Sequence, residues 1–359
     1  MSDKAERPRV TVIMTSRERY SLTTDSVANV YATTGHPFDL VYVDAGSPPT
    51  IGKRVRKLAD LHGFRVVRAD RLLSPNHARN LGLRYATGKY VVFLDNDVDF
   101  QPGWLEALVA CAEEEDAAVV GPLYLQGPLD EEVVHMAGGD MDFRGTWGER
   151  EFTQTQRYFL RRLGDIPSED LLRQECDLVE FHCALVRCDL LDAVGWMDEG
   201  LLTTREHLDF CLRVQAAGGK IYFEPASVMT YLTPPPFVAE DLNYFLIRWS
   251  DTWTEKTLTH FALKYGITPA YAERVAKTRA RRHHLLTTWL RPHLERRLGK
   301  TLAGVSLRLV RAAEPWYTKR IAGPAYRRLF AAGAPGRITE YQGAGDEGDR
   351  SGQKVDHVN

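Results

Sequence analysis

The sequence predicts an α/β protein with a mostly parallel central sheet flanked by helices, followed by a helical C-terminal extension. Short apolar runs alternate with helix-like segments through the first half of the chain, an order typical of strand–helix–strand units. The runs are apolar throughout instead of alternating with polar residues, which indicates strands covered on both faces. After residue 237 the composition changes to helix-like segments rich in Lys and Arg.

The individual elements follow from these patterns in chain order. Strands are expected over residues 10–14, 40–44, 64–67, 90–95 and 117–121, and helices over 19–34, 50–62, 75–87 and 103–115. Ser74 supports the start of the third helix, because it can cap a helix that has a proline at its first position. Glycine-rich turns make residues 122–177 irregular, and there we expect loops around a site and a polar helix near 151–163.

The second half continues the α/β pattern before its composition changes. Strands are expected over residues 177–187 and 220–225, and helices over 188–194, 205–217 and 238–265. We expect three parts: an α/β domain over 1–237, a helical basic region over 238–334 and a disordered, Gly- and charge-rich tail over 335–359. Residues 274–328 contain fifteen Lys and Arg against two acids, a net charge of 15 − 2 = +13, whereas the whole chain carries −2.

Several classes of protein are disfavoured by composition and motifs. Five cysteines without a CxxC pair favour free thiols in a reducing compartment, and therefore a cytoplasmic protein. The charged N-terminus lacks the apolar core of a signal peptide, and there is no uncharged apolar stretch long enough for a transmembrane helix. No GxGxxG motif follows the first expected strand and no P-loop motif is present, which disfavours a Rossmann dehydrogenase or a P-loop NTPase.

A pair of carboxylates closes the fourth expected strand. Asp95 and Asp97 are two residues apart, so in an extended segment both side chains point to the same side. Carboxylate oxygens are the ligands that hard divalent cations prefer, and substrate phosphates commonly complete the shell. The carboxyl ends of strands in open α/β sheets are also where ligands bind. A pair of this kind can equally well do no more than solvate a turn.

The segment ARNLGLRYATGKYVVFLDNDVDFQPGWLEAL (78–108) resembles the family 2 glycosyltransferases, which have the GT-A fold. Four further segments are similar to that family in the same order, at residues 10–19, 40–48, 183–201 and 205–225. The resemblance covers about residues 10–230 and implies a metal-dependent transfer of a hexose or related sugar from a nucleotide-diphosphate sugar, with Mn²⁺ or Mg²⁺ as cofactor. Inversion of the sugar is implied by the resemblance alone.

The resemblance also implies roles for individual residues. Asp97 is the metal ligand, with Asp95 near the metal or the ribose, and the donor is contacted by Thr15, Arg17, Asp44, Arg79 and Asp95. The first loop departs from the family, because Met14-Thr15-Ser16-Arg17 stands where Pro-Thr-Tyr-Asn is usual. The family often has a His ligand after the last strand, and residues 227–237 contain none.

Three neighbouring residues are candidates for the catalytic base. Glu206 and Asp209 are expected on one helix face, and the family's second acid is replaced here by His207. A positioned group of this kind takes the proton of an attacking acceptor hydroxyl. Glu206 is the favoured candidate, although Thr203 three residues earlier could form a capping box with it. Asp209 and Arg213 could form a simple helix ion pair.

The expected partners follow from the family resemblance and from the charge of the C-terminal region. Besides the donor we expect a glycan or lipid-linked acceptor, in the synthesis of a glycan, a cell-surface polysaccharide or a glycolipid. The basic segment 274–328 favours peripheral contact with an anionic membrane, at its inner face, or alternatively a solvated hairpin or a dimer surface. Nucleic acid is disfavoured because no reader motif accompanies the charge. The competing function is a degenerate subunit that binds a sugar nucleotide or glycan without turnover.

Overall fold

The computed structural model describes residues 10–233, 238–268, 271–330 and 336–345. Its strands are β1 (Val10–Thr15), β2 (Phe38–Ala45), β3 (Arg65–Ala69), β4 (Tyr90–Asp95), β5 (Val98–Phe100), β6 (Val119–Gln126), β7 (Val133–Met136), β8 (Gly139–Arg144), β9 (Glu151–Gln156), β10 (Gln174–Glu175), β11 (Cys183–Arg187), β12 (Ile221–Tyr231) and β13 (Ile338–Gln342). Its helices are α1 (Thr23–Thr33), α2 (Pro49–His62), α3 (Pro75–Leu83), α4 (Trp104–Glu114), α5 (Cys188–Val194), α6 (Glu206–Ala216), α7 (Ala239–Arg248), α8 (Asp251–Tyr265) and α9 (Tyr271–Phe330).

The central sheet confirms the predicted α/β class. Its strands run in the order β10-β12-β6-β11-β4-β1-β2-β3-β13, with β5 and β7 paired at the side of this path. The block β4-β1-β2-β3 is parallel, as the continuously apolar runs predict. The sheet as a whole is mixed, because β11 lies antiparallel between β4 and β6, and β13 lies antiparallel to β3. Helices α1 to α4 connect the strands of the first half, as expected.

The polar helix expected near 151–163 is wrong. Residues 151–156 form β9, which pairs antiparallel with β8 in a separate two-stranded sheet. In this ladder Phe143 lies opposite Phe152, and their rings lie 4.9 Å apart. The segment EFTQTQ alternates between exposed and more buried side chains, a period of two that indicates a strand. The strand expected over 177–187 begins at Cys183.

The long basic helix α9 is a hairpin of two arms. Gly299 has φ 75° and ψ 163°, a left-handed backbone conformation that glycine adopts without strain, and it separates residues 271–298 from 300–330. The arms pack together through Glu314, whose Oε2 accepts a hydrogen bond from Arg282 Nη2 at 2.9 Å and lies 2.7 Å from His283 Nε2. Arg282 is fully buried and Glu314 is 5% exposed. The hairpin is therefore joined by a buried ion pair.

Glu314→Gln is expected to lower the free energy of unfolding by about 1–3 kcal/mol, because it removes one of the two carboxylates that pair with the buried Arg282 and leaves Asp251, at 3.2 Å, as the other. Urea denaturation followed by far-UV circular dichroism measures the change. Glu295→Gln is the matched control, because Glu295 pairs with Arg291 at 3.5 Å across one helical turn. Loss of such an exposed pair costs about 0.5 kcal/mol or less. Equal losses for the two variants would contradict the account of the hairpin.

The disordered tail expected over 335–359 requires a correction. Residues 338–342 form β13, which pairs with β3 along its whole length. The Glu340 carboxylate pairs with Arg65 at 3.0 Å and accepts a hydrogen bond from Tyr85 at 2.6 Å. Composition over a long window missed this strand because five residues are enough to cover the free edge of β3. Residue 335 and residues 346–359 lie outside the described part of the chain.

The helical region after residue 237 contacts the α/β part closely. The Asp241 carboxylate accepts hydrogen bonds from the backbone and hydroxyl of Ser21, and the Tyr244 hydroxyl donates to the Leu73 carbonyl. A division of the chain at residue 237 remains a prediction. In the described residues, the helices are too short or too polar to cross a bilayer, and the five cysteines form no disulfide.

Candidate functional site

The carboxyl ends of three parallel strands meet at one edge of the sheet. Thr15 at the end of β1 lies opposite Asp95 at the end of β4 and opposite Val43 of β2. Asp44 follows in β2, and Asp97 lies two residues beyond β4. This is the position at which open α/β sheets bind ligands, and the predicted carboxylate pair lies there.

Asp95 is buried beneath three cationic side chains. Its Oδ1 lies 3.3 Å from Arg79 Nη2, and its Oδ2 pairs with Arg17 Nη1 and lies 2.8 Å from His182 Nδ1. Burial raises the pKa of this carboxyl, but the charges of Arg17, His182 and Arg79 outweigh burial and hold the pKa far below its ordinary value. Asp95 is therefore ionised throughout the physiological range. The site thus joins three of the predicted residues: Asp95, Arg17 and Arg79.

Asp97 lies in a different electrostatic environment. It is 2% exposed, and the charged group paired with it is Arg19, whose Nη1 lies 3.6 Å from Oδ2. Burial raises the pKa of this carboxyl to about 7, with Arg19 opposing the shift. Because Arg19 and His182 do not offset the effect of burial on Asp97, its carboxylate would be stabilised further by a bound cation. Arg19 itself was missed from the sequence and stacks against Tyr231, 5.3 Å from the ring centre.

His182 completes a set of potential metal ligands. Ligand atoms of Asp95, Asp97 and His182 lie within 4.8 Å of one another. Two carboxylates and one imidazole suit Mn²⁺ or a similar divalent ion, so the residues fit the metal that the sequence implies. His182 lies immediately before β11, and its ring stacks on Tyr231 with 4.1 Å between centres. Burial lowers the pKa of His182, but hydrogen bonds to Asp95 and Glu180 raise it overall to about 9.

Affinity for Mn²⁺ is expected to rise as the pH rises from about 6 to about 9, because metal ligands must lose their protons before they bind. Asp97, with its pKa near 7, loses its proton in the lower part of this range, and His182, with its pKa near 9, loses its proton toward the upper end. Calorimetric titration in buffers of different ionisation enthalpy measures the protons released. His182→Asn is expected to release fewer protons. An affinity that does not change with pH would contradict this set of ligands.

Glu180 extends the site away from Asp95. Its Oε2 lies 3.2 Å from His182 Nε2 and 2.9 Å from His135 Nε2, and its Oε1 accepts a hydrogen bond from Gln156 at 2.8 Å. Burial raises the pKa of Glu180, but the neighbouring histidines dominate and hold it well below its ordinary value. His135 and His182 were left out of the predicted catalytic set. Their roles depend on contacts between distant segments, which residue type alone does not reveal.

A cavity of about 290 Å³ lies beside this network. Its walls include side chains from distant parts of the sequence: Arg17, His135, Glu180, His182, Glu206, His207 and Tyr231. The helical region closes it, with contributions from Arg248 at the end of α7, from Trp249 just after it, and from Thr278 and Arg281 in α9. The predicted catalytic segment therefore borders this space. The strand-end carboxylates do not line it and are connected to it through Arg17, which lies 3.5 Å from Glu206 and pairs with Asp95.

The three candidate bases differ in their surroundings. Asp209 is engaged by three donors, with Arg213 Nε at 3.0 Å, the Tyr265 hydroxyl at 2.7 Å and Lys264 Nζ at 2.6 Å. The residues that line the cavity do not include Asp209. The contacts of Asp209 are thus those of a structural ion pair.

Glu206 and His207 both line the cavity. Within the described structure, Oε2 of Glu206 and Nε2 of His207 are buried and lack hydrogen-bond partners. The capping box is not formed, because the Thr203 hydroxyl donates to the Arg248 carbonyl at 2.7 Å. His207 Nε2 lies 4.0 Å from Glu180 Oε1, and burial lowers the pKa of His207. Either residue has an atom free to accept a proton.

Asp44 lies apart from this cavity. Its carboxylate accepts hydrogen bonds from the Ser47 backbone at 2.8 Å and the Ser47 hydroxyl at 2.9 Å, and it pairs with Arg68. With Arg68 and Asp70 it lines a second cavity of about 400 Å³ beside β13. Thr15 is buried, and its hydroxyl lies 3.5 Å from the Leu94 carbonyl. These two predicted donor contacts are therefore not brought into the space bordered by Glu206.

A family model described as glycosyl transferase family 2 matches residues 11–195, which is more than half of the 359 residues. An uncharacterized protein of Sinorhizobium fredii is 27% identical over 222 residues, covering 59% of this chain and 23% of that protein. Hyaluronan synthase of Pasteurella multocida is 29% identical over 116 residues, covering 32% of this chain and 12% of the synthase. The chain thus matches less than a quarter of the length of either relative.

One solved structure similar to this chain is a mannosyltransferase from Pyrobaculum calidifontis in complex with GDP-Man and Mn²⁺. It is 17% identical and has a TM-score of 0.48, covering 91% of this chain and 89% of that one.

Proposed function

Because this chain belongs to glycosyl transferase family 2, we propose that it transfers a sugar from a nucleotide-diphosphate donor to an acceptor hydroxyl with the help of a divalent metal. The observation that carries the proposal is that two groups of side chains adjoin Arg17: potential metal ligands and a candidate catalytic base. On one side lie the potential metal ligands Asp95, Asp97 and His182. On the other lies Glu206, a buried carboxylate with an unpartnered oxygen.

The donor side of the site is suited to a leaving diphosphate. Asp97, Asp95 and His182 would hold Mn²⁺ or Mg²⁺, which supplies positive charge for the departing group when bound. Arg17, Arg19 and Arg79 are each at least nine-tenths buried. In the described structure, the Nε of each has no hydrogen-bond partner. These guanidinium groups therefore retain donors for anionic oxygens, the interactions that stabilise charge developing in a transition state.

The acceptor side is suited to deprotonation of a hydroxyl. The acceptor oxygen forms a bond to the anomeric carbon while the bond to the diphosphate breaks, and Glu206 takes the hydroxyl proton. A single displacement of this kind inverts the anomeric centre. Glu206 is favoured over His207 because it lies 3.5 Å from Arg17, whose other contact is Asp95. That contact supports a position of the Glu206 carboxylate beside the residues that we propose to bind the donor.

The acceptor we propose is a glycan or lipid-linked glycan, in the synthesis of a cell-surface polysaccharide or glycolipid in the cytoplasm. The helical region that closes the cavity supports this view, because Thr278 and Arg281 belong to the basic segment 274–328. An acceptor bound in the cavity would therefore lie against that segment. Peripheral contact of the segment with an anionic membrane would bring a membrane-linked acceptor to the site.

A panel of nucleotide-diphosphate sugars, assayed with Mn²⁺ or Mg²⁺ for donor binding and metal-dependent hydrolysis, tests the proposal. One donor that binds and is hydrolysed with metal would support it. No binding of any donor, with or without metal, would overturn it. Tight binding without turnover, even with candidate acceptors present, would favour a degenerate binding subunit instead. The observation that keeps this second function in view is His207, which stands where the family has an acid.

A further inference from the structure

The second arm of the α9 hairpin carries a row of exposed apolar side chains. Leu302, Val305, Leu309 and Trp316 are 59%, 49%, 66% and 61% exposed. Their spacings of three, four and seven residues place them on one face of a helix. Ala312 and Ala313, also exposed, fill the interval before Trp316. The row extends over about 21 Å at the helical rise per residue.

This row is on the side of the arm that does not pack against the protein. The buried residues of the same arm, such as Ala303, Leu307 and Glu314, face the first arm or the adjoining helices. They are separated from the exposed row by roughly half a turn of the helix. Leu302, Val305 and Leu309 therefore form an exposed apolar surface, and single scattered apolar residues do not account for it. Trp316, at the end of the row, also borders a cavity of about 570 Å³ with Asp251 and Arg279.

Basic side chains border the row. Arg308, Lys319 and Arg320 are exposed in the same arm, and the Arg320 guanidinium lies 4.4 Å from the centre of the Trp316 ring. The tip of the hairpin adds three more exposed cations: Arg296, Arg297 and Lys300. An apolar stripe edged by Lys and Arg matches the chemistry of a surface that has an apolar interior and anionic head groups.

Not all of the basic segment is available for such a contact. Arg282 is buried in the ion pair with Glu314. Arg281 lines the cavity and lies 4.8 Å from the centre of the Trp249 ring. The first arm thus contributes to the cavity, whereas the second arm packs on the rest of the protein through Ala322 near its end and presents the apolar row to solvent.

We propose that the outer face of the second arm, defined by Leu302, Val305, Leu309 and Trp316, docks on an anionic lipid bilayer. Charge complementarity favours this occupant over a second copy of the chain. Residues 300–328 of the second arm contain seven Lys and Arg against one acid, a net charge of 7 − 1 = +6, so two such arms would repel each other. The first arm begins beside the cavity, so docking would hold the cavity close to the membrane. The docking is independent of the proposed transfer, and its consequence for a membrane-linked acceptor rests on that proposal.

Co-sedimentation of the full chain with vesicles tests the inference without any nucleotide or acceptor. We expect binding to phosphatidylcholine vesicles that contain about 30% phosphatidylglycerol, and much weaker binding to phosphatidylcholine alone. Leu302→Glu combined with Leu309→Glu is expected to weaken binding by about tenfold or more. The double change places two carboxylates in the face that would be buried in the bilayer. Both side chains are exposed, so the fold should tolerate the change.

The matched control is Leu129→Glu combined with Leu263→Glu. These leucines are 55% and 77% exposed and lie outside the hairpin, so this variant should bind as the unmodified chain does. Equal binding by the hairpin variant, or equal binding to neutral and anionic vesicles, would overturn the inference. A dimer that is seen by light scattering and is lost in the hairpin variant would also overturn the inference, because the row would then bind a second copy of the chain.

Discussion

Asp97→Asn is expected to lower kcat/KM for metal-dependent transfer by about 10³-fold or more. The amide keeps the shape of the side chain, and its oxygen can occupy the position that Oδ2 has 3.6 Å from Arg19 Nη1. It removes the negative charge that would hold a divalent cation beside the leaving diphosphate. Initial rates over a range of Mn²⁺ concentrations measure the loss, which excess metal should not restore.

Asp99→Asn is the matched control for this prediction. Asp99 lies two residues further along, in β5, and pairs with Thr230 of β12. It is outside the group of potential ligands around Asp97. The control variant should keep most of its activity. Comparable losses in both variants would indicate a local structural effect and would remove Asp97 from the proposed ligand set.

Glu206→Gln is expected to lower kcat by about 10²- to 10⁴-fold, the usual contribution of a general base. The donor KM should change little, because the amide preserves the size and polarity of the side chain. His207→Asn should have a smaller effect on kcat. If the larger loss followed His207→Asn instead, the proton would pass to the imidazole and the assignment of Glu206 would be wrong.

Asp209→Asn separates a structural role from a catalytic one. Its carboxylate is engaged by Arg213, Lys264 and Tyr265. Removing its charge should therefore lower the melting temperature and leave kcat of the folded enzyme largely unchanged. A full loss of kcat with unchanged stability would restore Asp209 as a candidate base.

The parts of the site that could be predicted from sequence are those encoded in a continuous stretch. The β4 strand and its two carboxylates are adjacent in the chain, so an apolar run followed by Asp95 and Asp97 shows both the element and the position of the site. The same holds for Glu206 and His207, which begin helix α6. In both places the local pattern determines which side chains share a face.

The contact between His182 and Asp95 could not be predicted in this way. It exists because β11 lies antiparallel beside β4, with Cys183 opposite Leu94. Strand order is a property of the whole sheet, and no local pattern around His182 specifies its neighbour. The same reasoning explains why Glu180 and His135 were missed, since they lie 45 positions apart in sequence and meet at 2.9 Å.

Two errors of secondary structure have a related origin. The strand β9 was interpreted as a polar helix because its outward side chains are polar, although Phe152 packs against Phe143 across the hairpin. β13 was missed because it lies in a Gly- and charge-rich tail, and it is ordered by its pairing with β3. In both cases a partner strand decides the conformation, and tertiary pairing outweighs local preference.

Anomalous diffraction from crystals grown with Mn²⁺ and a nucleoside diphosphate tests the central claim most directly. We expect a manganese peak beside the Asp97 carboxylate, with Asp95 or His182 as a further protein ligand and diphosphate oxygens completing the shell. The peak should be absent from crystals of Asp97→Asn. A peak between His135 and Glu180 with none at Asp97, or a bound nucleotide without manganese near Asp97, would contradict the account.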